Sequence, residues 1–211
     1  MRLLATLALV APPAAVAAER EAAPFEKLHC LKYASGRAPI ELLAKGAKPA
    51  VEIEIPMVVC VARRPGQVIV LDAGYVDRAY GAGWGVDDWT DLAERLAEIG
   101  VAADTVDWVT VSHLHWDHAG GTSRFPKARF VMQRRELASA AVDVPGNPFL
   151  AQGFRIDETL DAIRLAWDGR LELVDGDVEG FLPGVDLYLT PGHTAGTMTV
   201  CLATRKGRVC Y

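Results

Sequence analysis

Three of the five histidines in this chain fall within six residues, in the segment His113-Leu114-His115-Trp116-Asp117-His118. Neutral imidazole nitrogen and carboxylate oxygen are both zinc donors. The segment follows Val106–Val111 (VDWVTV), whose β-branched and apolar residues predict a buried strand. If the extended backbone continues past that strand, residues 113, 115 and 117 share one side. Two imidazoles then converge on one ion, with a carboxylate just beyond. A turn re-aims His118, and Gly120-Gly121 lets the backbone bend closely past the site.

A fourth histidine lies in a second loop of the same kind. The strand-like run Val185–Thr190 (VDLYLT) passes into Pro191-Gly192-His193-Thr194-Ala195-Gly196. His113, His115 and His193 together make a three-histidine site with a free position for water, the catalytic rather than the structural zinc arrangement. Isolated surface or capping histidines do not gather in this way. Four of five histidines lie in two strand-end loops with an aspartate among them.

The rest of the chain reads as hairpins and flanking helices. Val51–Val61 (VEIEIPMVVCV) alternates and then becomes continuously apolar, predicting a strand that enters a buried sheet. Arg63–Gln67 predicts a turn, and Val68–Leu71 a strand ending in Asp72-Ala73-Gly74. After a Gly- and aromatic-rich loop (Tyr75–Val86), Asp87–Ile99 predicts an amphipathic helix capped by Asp87 or Asp88. Trp89, Leu92, Leu96 and Ile99 lie on its buried face, and Gly100 ends it. Arg129–Met132 predicts a short strand, and Gln133–Val142 and Ile156–Trp167 predict helices. Leu171–Val174, Val185–Thr190, Met198–Ala203 and Arg208–Tyr211 predict further strands. The expectation is a mixed, layered α/β domain with helices covering sheet faces.

Composition narrows the function classes. Hydrophobic residues make up 51% and charged residues 23%, which excludes a disordered or fibrous chain. The net charge is −5 with no Lys/Arg cluster, so no nucleic-acid partner is expected. Residues 1–17 read as a signal peptide: one Arg, a short apolar core broken by Pro12-Pro13, and an A-x-A site at Ala15–Ala17. This predicts a periplasmic or secreted protein. No other run has membrane-spanning length, so no membrane partner is expected. Residues 18–50 are expected to supply an N-terminal extension and a first strand. Cys30, Cys60, Cys201 and Cys210 form no C-x-x-C pair. Each lies in an apolar stretch and is expected as a small buried hydrophobe; no disulfide connectivity is selected.

His113–Gly121 (HLHWDHAGG), Thr190–Gly196 (TPGHTAG) and Leu71–Gly74 (LDAG) together resemble the metallo-β-lactamase superfamily. The resemblance covers residues 51–211 and implies an αββα sandwich with a dinuclear metal site at one edge of the packed sheets. It implies that His113, His115 and His193 hold a first zinc, and that Asp117 and His118 belong to a second. It makes Asp72 the strand-end carboxylate beside the site, with a loop-capping carboxylate as the plain alternative. Within the superfamily, SHLHWDHAGG, Val131–Leu137 (VMQRREL) and Gly176–Val185 (GDVEGFLPGV) are most similar to the N-acyl homoserine lactonase group. Met198 departs from that group, many of whose members carry His there. The resemblance implies a small-molecule ester or lactone substrate, opened by metal-bound hydroxide, with Asp117 as second-metal ligand and orienter of the nucleophile. Thioesterases of the glyoxalase II type and β-lactamases are the alternatives. Trp84 and Trp116, with Tyr75 and Tyr80, are candidate linings of an acyl pocket or plain packing residues. The oligomeric state stays open. In the family, the strand after the PGHT hairpin delivers a bridging Asp, and a further His comes later. Neither lies before Tyr211, so the resemblance also implies a fold lacking its C-terminal strands and helix. An incomplete, inactive metal-binding fragment is therefore a further reading. That reading expects Met198–Ala203 and its partner to present an apolar face and unpaired backbone.

Overall fold

Why apolar runs such as Val68–Leu71 are buried on both faces is answered by three layers. The computed structural model describes residues 23–211 apart from 43, 45 and 48–50; the expected signal peptide lies outside the described residues. A seven-stranded sheet has the order β4-β1-β2-β3-β5-β6-β7. Its strands are β1 (Lys27–Pro39), β2 (Glu52–Arg64), β3 (Gln67–Leu71), β4 (Val86–Asp87), β5 (Trp108–Thr110), β6 (Arg129–Gln133) and β7 (Leu171–Val174). A four-stranded antiparallel sheet has the order β11-β10-β9-β8, from β8 (Val178–Leu182), β9 (Val185–Leu189), β10 (Met198–Thr204) and β11 (Gly207–Cys210).

The period-two alternation of a strand divides the large sheet's side chains between two cores. Val59, Val61, Val70, Val109, Phe130 and Met132 point to one face, where they meet Leu92, Leu96, Ala140, Ala162 and Leu165. Those five belong to the helices α2 (Leu92–Glu98), α4 (Arg134–Val142) and α5 (Ile156–Trp167); α1 (Arg78–Gly83) and α3 (Trp116–Ala119) are shorter. The intervening residues Cys60, Ala62, Ile69, Leu71, Trp108 and Val131 point to the other face. There they meet Val185, Leu187, Met198, Val200 and Leu202 of the small sheet. The layers among the described residues are thus helix, sheet, sheet, three of the four layers of the expected αββα order.

Strands β3, β5, β6 and β7 are parallel, and β1, β2 and β3 antiparallel. Parallel strands need crossovers, which put helices on the sheet face. Their carboxyl ends open on one side of the sheet, where α/β proteins place ligands.

Several expectations are corrected. The helix expected at Asp87–Ile99 begins at Leu92, with the Asp91 side chain accepting from Ala93 N. Val86 and Asp87 instead pair with Gly36 and Ser35, and Asp88 has φ +50°, outside the helical range. Residues 18–50 contribute β1, which pairs along its length with β2 and lies inside the larger sheet. The cysteines are paired: Cys30–Cys60 and Cys201–Cys210 are disulfides. Each joins directly opposed residues of antiparallel neighbours, with Cα atoms 4.0 and 4.1 Å apart, a contact that chain spacing alone does not reveal. Met198–Ala203 has no free edge, because β9 and β11 pair with it on either side; β11 is the outermost strand. Sequence patterning also missed β8, whose residues are only partly buried or exposed.

Phe130 is fully buried where β6 meets the helix layer. Phe130→Ala is expected to lower stability by about 3–5 kcal/mol, measured as a shift in urea midpoint. Phe149→Ser, at a residue 80% exposed, is expected to change it by less than about 0.5 kcal/mol.

Candidate metal centre

Strand β5 ends at Thr110, and α3 begins after His115, which is its N-cap. The extended backbone therefore does not carry through to residue 117, as period-two alternation assumed. A helical turn places Asp117 and His118 instead. Even so, the ligand nitrogens of His113, His115 and His193 lie within 4.8 Å of one another. Asp117 and His118 stand beside this cluster: the His118 ring is 4.0 Å from that of His113, and His118 Nε2 is 3.5 Å from Asp117 Oδ2.

Asp72 directly follows β3 and is 1% exposed, with φ +66°. A non-glycine residue in that region is strained and persists only where its surroundings hold it. Its Oδ1 accepts from Ser112 N at 2.7 Å, and its Oδ2 accepts from Ser112 Oγ at 2.8 Å and His118 Nδ1 at 2.6 Å. Asp72 thus fills both expected roles, loop cap and partner of a site histidine. The serine hydroxyl has one proton. If it goes to Asp72, the contact between Ser112 Oγ and His113 Nδ1 at 3.0 Å must use the histidine's proton. His113 Nε2 is then a bare acceptor facing the cluster. It is buried and has no hydrogen-bond partner. A buried lone pair left without a donor is costly, and a bound cation removes that cost. His115 Nδ1 and His193 Nε2, 3.1 Å apart, complete a donor set that suits zinc. This chemistry fits the implied metal.

The two ligand loops are tied by a residue that sequence reasoning passed over. Glu136, on α4, is 1% exposed. Its Oε1 accepts from Leu114 N at 2.9 Å, in the His113–His115 loop. Its Oε2 accepts from Thr194 Oγ1 at 2.7 Å and Gly196 N at 2.8 Å, in the His193 loop. A Cβ at Gly196 would lie 2.3 Å from Glu136 N, so only glycine permits this approach. Ser112 and Tyr33 were also passed over; Tyr33 Oη donates to the Asp117 carbonyl at 2.7 Å. The available signals were Ser directly before H-x-H and Glu within the VMQRREL phrase. Trp116 is buried, with Tyr75 4.6 Å and Tyr80 5.4 Å from its ring, whereas Trp84 is 47% exposed and 6.0 Å from it. Trp116 is thus a packed residue, and Trp84 the exposed member of the group. Phe154 adds an edge contact to His115 at 4.5 Å.

Burial pushes His113 far below the ordinary imidazole range, and His115 down to about 3, with neighbouring imidazoles adding to both shifts. Burial would lower His118 as well, but the Asp72 and Asp117 carboxylates outweigh it and hold His118 at about 9.

Known proteins bear on this geometry. The description "Metallo-beta-lactamase superfamily" fits residues 57–211, and the chain belongs to that family. An N-acyl homoserine lactonase from a Bacillus species is 31% identical over 115 residues, which is 54% of this chain and 40% of the relative. AttM, an N-acyl homoserine lactonase of Azorhizobium caulinodans, is 25% identical over 190 residues, 81% of this chain and 68% of that one. The chain thus spans about 40% of the length of the curated lactonases it matches at 29–31% identity. A solved N-acyl homoserine lactone hydrolase, with N-hexanoyl-L-homoserine bound at its catalytic metal centre, superposes with a TM-score of 0.71. It is 21% identical, with 89% of this chain and 74% of that one covered. The dizinc quorum-quenching lactonase AidC gives 0.65 at 17% identity, over 89% and 71%. At these identities the likeness shows a shared fold.

Two outcomes follow for the metal-free chain. Unfolded His113 and His115 take up protons below about pH 6.5 while the folded ones resist, so stability falls as pH drops below that value. His118 contributes the opposite arm: its stabilisation is full below pH 6.5 and is lost as pH rises through about 9. Urea midpoints in EDTA should peak near pH 6.5, and His118→Asn should flatten the alkaline arm. Separately, Glu136→Gln places an NH₂ against donors of one loop. It is expected to weaken zinc affinity roughly 10–100-fold in a competition titration, the range for residues that orient ligands.

Proposed function

We propose that the chain is a zinc-dependent hydrolase that opens lactones of the N-acyl homoserine type. The observation that carries this reading is the buried, unpartnered His113 Nε2 beside His115 and His193. The lactonase relatives supply the substrate class. When bound, zinc supplies Lewis acidity toward a carbonyl and lowers the pKa of water.

This chain's residues supply the remaining parts. Asp72 and Ser112 fix the tautomer of His113, and Asp72 aims the outer nitrogen of His118. Asp117 and His118 are the candidate donors to a second ion. Ring opening adds water across the acyl C–O bond: the carbonyl carbon gains hydroxyl and the ring oxygen gains a proton. Asp117 Oδ2 is the carboxylate oxygen at hand to take the proton from water and return it to the ring oxygen. Trp84, with its exposed ring, is proposed to contact the apolar acyl chain. The two disulfides suit an oxidising compartment, which supports export through residues 1–17. Among the described residues no helix is long and apolar enough to cross a membrane.

Turnover of short- and long-chain acyl homoserine lactones, a thioester and a β-lactam should be compared on the zinc-loaded chain. Lactone opening is expected to dominate, and His113→Ala is expected to reduce it at least roughly 100-fold. Preference for the thioester or the β-lactam, or full activity in His113→Ala, would overturn the assignment.

A further inference from the structure

The Asp72 carboxylate has a fourth donor, from the other sheet. Tyr211 Oη lies 3.0 Å from Asp72 Oδ2 and 3.2 Å from the Val58 carbonyl on β2. Tyr211 follows β11, and its backbone exchanges two 2.9 Å hydrogen bonds with Val200 on β10. The preceding residue, Cys210, is disulfide-bonded to Cys201. We propose that Tyr211 is a positioning residue for the metal centre, acting through Asp72 on His118, and that the Cys201–Cys210 disulfide seats it there. The inference rests on reading the histidine cluster as a metal centre.

Three observations support the link. First, all four residues of β11 are exposed, and β10 is its one pairing partner among the described residues. A short outer strand of this kind opens more readily than the core. The disulfide joins it covalently to β10 one residue before the tyrosine. Second, Tyr211 is not exposed like β11. It packs against the apolar cluster between the sheets, so its hydroxyl reaches from the small sheet to the end of β3 in the large one. Third, the oxygen it reaches is the one that holds His118 Nδ1 at 2.6 Å. The hydrogen bond at one imidazole nitrogen sets the direction of the other, and residues of this type typically change metal affinity 10–100-fold. Ser112 N bonds the other oxygen, Oδ1, so the effect falls on the two groups that share Oδ2, His118 Nδ1 and the Ser112 hydroxyl, before the loop backbone.

The test is a Co(II) titration of the metal-free, oxidised chain, read by visible absorption and stoichiometry. Tyr211→Phe removes one oxygen and keeps the ring. It is expected to melt within a few degrees of the parent and to bind the ion held through His118 about 10–100-fold more weakly, with an altered Co(II) spectrum. The Cys201→Ser/Cys210→Ser double variant is expected to reproduce that change with Cys30–Cys60 intact. Combining it with Tyr211→Phe is expected to add little. A Tyr211→Phe chain that matches the parent in affinity and spectrum overturns the inference, as does a cysteine double variant with parental binding. A parent that binds no Co(II) overturns the metal-centre reading and takes this inference with it. A parent that binds while Tyr211→Phe is unaltered overturns the inference alone.

Discussion

A single buried carboxylate organises this protein's site. Asp72 ends a central strand in a strained backbone conformation and accepts hydrogen bonds from a backbone amide, a serine, a histidine and a tyrosine. No Lys or Arg is among these partners. In the metal-free chain the anion is balanced by a histidine that it helps keep protonated and by neutral donors. This arrangement determines which nitrogen of His113 faces the cluster and where His118 points. Its strain is held by donors from the loop after β5, from α3 and from Tyr211 after β11.

The second constraint is backbone proximity. A Cβ at Gly121 would lie 2.1 Å from the Ala73 carbonyl, so the turn after β3 and the turn after α3 are pressed together at a point only glycine allows. Gly196 does the same for the His193 loop against α4. Glu136 then links both histidine loops. The ligand positions thus follow from two close approaches and two buried carboxylates. A cation entering there would meet a largely formed set of donors.

Much of this was legible in the sequence because the informative residues are rare types in short spacing. His113, His115 and His193 were placed together from pattern alone, and the structure gathers them. Strand existence was legible wherever a run is buried on both faces, as in β3 and β5. What failed to show was what depends on partners distant in sequence. The register of β1 on β2 decides both the Cys30–Cys60 pairing and the place of residues 27–39 in the sheet. Glu136 looks like an ordinary helix-surface acid until the fold brings two loops over it. The period-two reading of His113–Asp117 failed because the chain turns helical after His115, a choice made by tertiary packing.

The three histidines of the cluster come from loops eighty positions apart, His113 to His193, one following the large sheet and the other within the small one. Neither loop alone supplies all three of these histidines. The two sheets must therefore dock before the site exists, and docking across such a separation is a late event in folding. The effect of a bound ion on the chain is that of any ligand selective for the native state: it draws the equilibrium toward the folded form in proportion to its free concentration. A metal held there would add to the stability of the assembled fold, while the drive to fold rests with the apolar layers.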